Sequence, residues 1–214
     1  MEAQKIELVF ILDRSGSMGG LENDTIGGFN AFIQRQRTEA GEVTLSTLLF
    51  DNQIEVLHDR MSLNALSPLT EKDYSVRGST ALLDAMGYGI QKIIQVQRMS
   101  KVKHKADKVL FVITTDGMEN ASREYSVEQI RQLIETQERD HHWEFVFLGA
   151  NIDALATARS FGIKDHNAVQ YHNDAQGIDL NFKNITNKMS AIKNNASASD
   201  AWKKEIEEDF KKRK

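Results

Sequence analysis

Apolar residues in this chain fall into short dense runs and longer periodic stretches that take turns along its length. Ile6-Glu7-Leu8-Val9-Phe10-Ile11-Leu12 is a nearly unbroken apolar run, the pattern of a buried strand, and it ends at Asp13. A glycine-rich polar loop, Arg14 to Glu22, precedes a stretch from Asp24 to Arg37 with Ile26, Phe29 and Ile33 at helical spacing. Val43 to Phe50 alternates like a strand, Asp51-Asn52 signals a turn, and Ile54 to Leu57 reads as the returning strand of a hairpin. His58 to Ser79 is irregular and holds the only proline, Pro68. Thr80 then opens a second helix with Leu82, Met86, Ile90, Ile93 and Val96 on one face.

The run Val109 to Ile113 suits a central parallel strand buried on both faces, and it ends at Thr114-Thr115-Asp116-Gly117. Ser126 starts a third helix and forms a capping box with Gln129. A strand from Trp143 to Leu148, a helix from Ala154 to Phe161, a short strand near Ala168 to Tyr171 and a long helix from Asp174 to Asn194 follow. This alternation predicts an α/β fold of the doubly wound, Rossmann-like kind: a mostly parallel sheet with one antiparallel edge hairpin strand and helices on both faces. In such sheets ligands bind at the carboxyl ends of the strands, so fold logic alone points at Asp13 and Asp116.

Two units are expected: residues 1–195 as the main domain, and 196–214 as a linker with a short amphipathic helix. Asn194 to Ser199 reads as the linker, and Asp200 as the cap of the terminal helix. The stripe Trp202, Ile206, Phe210 either packs back on the domain or docks another chain. The 214 residues suffice to bury a core without staples. The net charge of −4, with no basic stripe beside aromatics, argues against nucleic acid as a partner. The chain has no cysteine, which excludes disulfides, zinc-thiolate sites and thiol catalysis and fits a reducing compartment. No run reaches the ~18 apolar residues of a membrane span and the first strand is too short and charged for a signal peptide, so a cytoplasmic location is expected.

Three elements carry candidate chemistry. Asp13-Arg14-Ser15-Gly16-Ser17 places a carboxylate and two hydroxyls at alternate positions after a strand, and Gly16, Gly19 and Gly20 allow the loop to curl them toward one point. Such hard oxygen ligands suit Mg²⁺, Mn²⁺ or Ca²⁺, though Asp and Ser also cap helices. Thr80, in Gly78-Ser79-Thr80-Ala81-Leu82, is either a helix cap or a third hydroxyl ligand. Asp116 ends the most hydrophobic strand and is either a turn aspartate or a second carboxylate of a site.

Taken in this order, each after the element the fold requires, the three resemble the von Willebrand factor A domain, the family that includes integrin inserted domains. The resemblance covers roughly Lys5 to Asn195. The family's metal-ion-dependent adhesion site is made of D-x-S-x-S, a distant threonine and a distant aspartate. Asp13, Ser15 and Ser17 match the first part, Thr80 the second and Asp116 the third. The resemblance implies a bound Mg²⁺, or Mn²⁺ or Ca²⁺, contacted by the three hydroxyls, with the aspartates acting partly through water. It implies a non-enzymatic role with no catalytic residue, in which the metal takes an Asp or Glu side chain of a protein partner. In many members the last helix shifts between binding states; here that helix is roughly Asp174 to Asn194.

Two other readings compete. One is a Mg²⁺-dependent hydrolase of phosphates or esters with Asp13 as nucleophile. Such a site normally has a second carboxylate close by in sequence and a phosphate-holding lysine, and here the position two after Asp13 is Ser15. The other is a structural subunit of a larger assembly that docks through the C-terminal helix. Ser15-Gly16-Ser17-Met18-Gly19 fails the nucleophile-elbow pattern, and neither a P-loop nor G-x-G-x-x-G is present. The six histidines lie among polar residues without metal-ligand spacing, and the basic connection Lys101, Lys103, His104, Lys105 reads as a solvated loop.

Overall fold

A computed structural model describes residues 4–39, 41–194 and 200–213. Its single six-stranded sheet runs in the order β3-β2-β1-β4-β5-β6. Strands β1 (Lys5–Asp13), β2 (Glu42–Phe50), β4 (Lys108–Thr115), β5 (Glu144–Gly149) and β6 (Ala168–Gln170) are mutually parallel where they pair, and β3 (Ile54–Ser62) runs antiparallel on β2. The expected α/β architecture, with one antiparallel edge hairpin strand, is the observed one.

The alternation of side chains along the central strands sorts the core into two layers. Leu8, Phe10 and Leu12 of β1 face the same layer as Leu110 and Val112 of β4 and Val146 and Leu148 of β5. Helices α1 (Glu22–Thr38) and α5 (Ala175–Lys193) close that layer. Val9, Ile11, Phe111, Ile113, Phe145 and Phe147 face the other layer, beneath α2 (Leu82–Met99), α3 (Val127–His141) and α4 (Ala154–Ser160). Strands buried on both faces need no polar alternation, which is why β1 and β4 are near-continuous apolar runs. Helices α1 and α5 approach closely at Gly28, where an added Cβ would lie 2.3 Å from the ring of Phe182.

Several boundaries depart from the sequence reading. Strand β3 continues to Ser62 instead of stopping at Leu57, so the irregular segment begins at Leu63. Its register against β2 shifts around Thr47, and Arg60 takes a left-handed φ of 49°. These irregularities erase the alternation by which a strand is recognised. Helix α2 begins at Leu82, so Thr80 precedes it. Its first amides are met from across the loop, Leu83 N by Glu119 Oε2 at 3.0 Å and Asp84 N by Ser122 Oγ at 3.1 Å. The capping box at Ser126 and Gln129 is present as expected.

The terminal helix α6 (Lys204–Lys212) follows a short 3-10 turn that begins at Asp200, so Asp200 does not cap it. Of the expected linker, Asn194 to Ser199, Asn194 is the C-cap of α5 and residues 195–199 lie outside the described residues. Of the two readings of the apolar stripe, packing onto the domain is what the fold presents: Trp202 and Ile206 are buried in the α1/α5 layer. Trp202 Nε1 donates to His166 O at 2.9 Å and Lys203 Nζ to Ala168 O at 2.9 Å, so this segment lies along the β6 side of the sheet.

Candidate functional site

Strands β1 and β4 are adjacent and parallel, so Asp13 and Asp116 emerge side by side at the carboxyl edge. The loop after Asp13 curls as a 3-10 turn, Gly16–Met18, which brings the alternate serines around. It is tied to the segment before α2 by Gly16 N donating to Gly78 O at 3.2 Å and Arg77 N to Arg14 O at 2.8 Å. Gly78 has φ +71°, and a Cβ there would meet Asn52 Oδ1 at 2.4 Å, so glycine suits the close approach of this segment to the β2–β3 turn.

All five candidates meet at this edge. Asp13 Oδ1 accepts from Ser15 N at 2.7 Å, and Asp13 Oδ2 from Thr115 Oγ1 at 2.6 Å. Ser15 Oγ and Ser17 Oγ are 3.2 Å apart, and Ser17 Oγ donates to Asp116 Oδ1 at 2.6 Å. A Cβ placed on Gly117 would lie 3.3 Å from Thr80 Oγ1 and 3.4 Å from Ser17 Oγ, so both hydroxyls lie close beside Gly117, next to Asp116. Asp13, Ser15, Thr80 and Asp116 are buried, while Ser17 is exposed and opens the group to solvent.

Arg14 turns the other way. Its side chain is buried against Asp51 (3.1 Å from Nε) and Glu55 (2.5 Å from Nη1) in the β2–β3 hairpin. The two carboxylates of the site therefore have only neutral donors among their described partners. Burial pushes both carboxyl groups above the usual range, against the lowering effect of their hydrogen bonds, and the charge of Asp116 adds to the rise at Asp13.

Three contributors were not legible as site residues in the sequence. Tyr74 donates its hydroxyl to Asp13 O at 2.5 Å from the irregular segment, and its own ionisation is suppressed by burial and by Asp13. Thr115 holds Asp13 as described. Asn173, in the turn after β6, donates Nδ2 to Asp116 Oδ2 at 2.8 Å. Each acts across 57 to 102 residues of sequence, where no local pattern reports it. The one usable signal is topological: Thr115 ends β4 and Asn173 follows β6, both at the carboxyl edge.

The donor set is two carboxylates and three hydroxyls, oxygen throughout, which fits a hard divalent cation. Among the described residues no group of three or more His, Cys, Asp or Glu gathers to hold a metal, so a site here depends on its hydroxyls.

No family model matches the chain, and no curated protein matches it. Solved structures do. The proximal thread matrix protein 1 of the mussel byssus, in a form with a zinc-occupied MIDAS motif, is similar at a TM-score of 0.59 and 13% identity, over 87% of this chain and 46% of that one. A von Willebrand factor type A protein from Catenulispora acidiphila gives 0.58 and 12%, over 86% and 42%. The ArnB paralog VWA2 from Sulfolobus acidocaldarius gives 0.56 and 18%, over 85% and 45%. The chain spans less than half the length of each. With the sheet order and the helix layers, these likenesses give the chain the fold of von Willebrand factor A domains.

Proposed function

We propose that the protein is a non-enzymatic, metal-dependent protein-binding module. Asp13, Ser15, Ser17, Thr80 and Asp116 hold one divalent cation, Mg²⁺ first and Mn²⁺ or Ca²⁺ as alternatives. When bound, the cation supplies a coordination position for an Asp or Glu oxygen of a protein partner. The observation that carries this reading is the pair of buried carboxylates, Asp13 and Asp116, surrounded by hydroxyl and amide donors with no cationic side chain among their partners in the described residues. Burying such charges is costly unless a positive charge joins them. Thr115 and the Ser15 amide fix the orientation of Asp13, and Ser17 presents the exposed side to a partner.

The same contacts speak against the hydrolase reading. Asp13 is buried with both oxygens hydrogen-bonded, a poor state for a nucleophile, and the nearest arginine in sequence, Arg14, is committed to Asp51 and Glu55. A cytoplasmic location belongs to this reading and rests on the cysteine-free composition. Among the described residues no helix is long and apolar enough to cross a membrane.

Calorimetric titration with Mg²⁺ and Mn²⁺ in metal-stripped buffer tests the proposal. One ion bound by the wild type, and none by a folded Asp13→Ala variant, supports it. Capture of a partner that chelation releases completes it. No binding by the wild type, or equal binding by the variant, overturns it.

A further inference from the structure

The turn between β6 and α5 carries three consecutive side chains that reach two different parts of the molecule. His172 stacks on Phe210 of α6 with ring centroids 4.6 Å apart, and its Nε2 lies 3.2 Å from Phe210 O. Asp174 caps α5 by accepting from Gly177 N at 2.8 Å and pairs with Arg213 at the end of α6. Arg213 also pairs with Asp209, whose Oδ1 accepts from Gln176 Nε2 at 2.6 Å. Between His172 and Asp174, Asn173 points the other way and donates Nδ2 to Asp116 Oδ2 at 2.8 Å. The residues on both flanks are thus clasped by α6 while the middle one touches the candidate metal site.

We propose that Asn173 is a positioning residue of the metal site, and that α6 holds it in place. The inference rests on the reading of Asp116 as part of that site. Asp116 has one oxygen fixed by Ser17 and the other by Asn173, so its plane is set from both sides. Against an ionised Asp116 the Asn173 amide must present Nδ2, because a flipped amide would set its carbonyl oxygen against a carboxylate. An amide is also the right chemistry: it orders the carboxylate without cancelling the negative charge that a cation requires, as a lysine would. Helix α6 and the 3-10 turn before it have the anchorage for this task, with Ile206 of the helix and Trp202 of the turn buried in the α1/α5 layer.

The test combines affinity with a spectroscopic reading on the full chain. Mn²⁺ titration by calorimetry compares wild type, Asn173→Ala and Arg213→Ala. Loss of an outer hydrogen-bond partner of a metal ligand lowers affinity about 10-fold or more, and that is the expectation for Asn173→Ala. Arg213→Ala, which touches no site group, is expected to weaken Mn²⁺ binding several-fold with the domain still folded. In the wild type, the side-chain amide signals of Asn173, assigned by through-bond connection to its own backbone resonances, should shift on adding Mg²⁺. That measurement decides the case even if the alanine variant fails to fold. A wild type that binds metal while Asn173→Ala binds equally well, or while the amide signals stay fixed, overturns this inference alone. Unchanged affinity in Arg213→Ala overturns the role of α6. A wild type that binds no metal overturns both this inference and the reading beneath it.

Discussion

Two buried acidic groups flank the end of β1, and they are balanced in opposite ways. Asp51, in the hairpin turn, receives Arg14 at 3.1 Å, Arg77 at 2.7 Å and the Gln53 amide at 2.7 Å. Asp13 and Asp116 receive a backbone amide, two hydroxyls and a side-chain amide, all neutral. Arg14 lies in sequence between Asp13 and Ser15, yet its charge goes to the hairpin. Removing a carboxylate from water costs several kcal/mol, and a well-placed cation offsets most of it. The chain offsets that cost internally at Asp51 and leaves it standing at Asp13 and Asp116. Among the described residues that negative charge has no internal cation, which is the arrangement the proposed cation site requires, at some expense to metal-free stability.

The largest effect that would break the comparison is on stability. Asp51→Ala strands the buried Arg14 guanidinium, whose Nη2 already lacks a partner, with only Glu55 against it. The expected loss is about 3–5 kcal/mol in urea unfolding. A loss well below that would show that Glu55 alone satisfies Arg14, and that the two acidic groups differ less than their contacts imply.

Asp116→Asn should act the other way round. Removing a carboxyl that burial has pushed up relieves the metal-free protein, so its unfolding free energy stays level or rises. Metal affinity, by contrast, falls about 100-fold, or ~2.7 kcal/mol. A variant that loses stability but keeps its affinity would make Asp116 a structural group like Asp51.

Thr80→Ala separates a cap from a ligand. A lost helix cap costs ~1 kcal/mol, but the first amides of α2 are met by Glu119 and Ser122. Stability should therefore change by less than about 0.5 kcal/mol, while metal affinity falls about 10-fold. The reverse pattern would restore the cap reading.

The sequence displays the parts of this molecule that obey a period and conceals those that do not. Strands β1 and β4 are legible because burial on both faces demands unbroken apolar runs, and α2 and α5 because their buried positions recur at three and four. Asp13, Ser15 and Ser17 are legible because three candidate ligands fit within five residues of one loop. Strand β3 was read short because its register shift and the left-handed Arg60 break the alternation. Tyr74 and Asn173 were invisible because their contacts with the site are made by the fold over long separations. Arg14 shows the same limit at short range: its place between two candidate ligands suggests a role in the site, and only the hairpin beside it shows where its charge goes.

The smallest effect is the dependence on pH, and its sign is informative. Asp13 and Asp116 both hold their protons to higher pH in the folded state than in the unfolded chain, where the ordinary value is 3.8. Over the window from 3.8 up to the raised values the folded state binds more protons, so metal-free stability is greatest below that window and falls as pH rises through it. Metal binding needs both groups ionised, so Mg²⁺ affinity should rise with pH through the same window. Melting curves with and without Mg²⁺ between about pH 4 and pH 7 should therefore diverge as the pH increases. The double variant Asp13→Asn, Asp116→Asn should lose the Mg²⁺-dependent part entirely. What remains is the metal-independent slope, in which Glu7, raised by burial in spite of Arg60 beside it, lowers stability as pH rises, while His58, lowered by burial, raises it. Curves that stay parallel across the window in the wild type would mean that the cation, wherever it binds, does not compete with these protons.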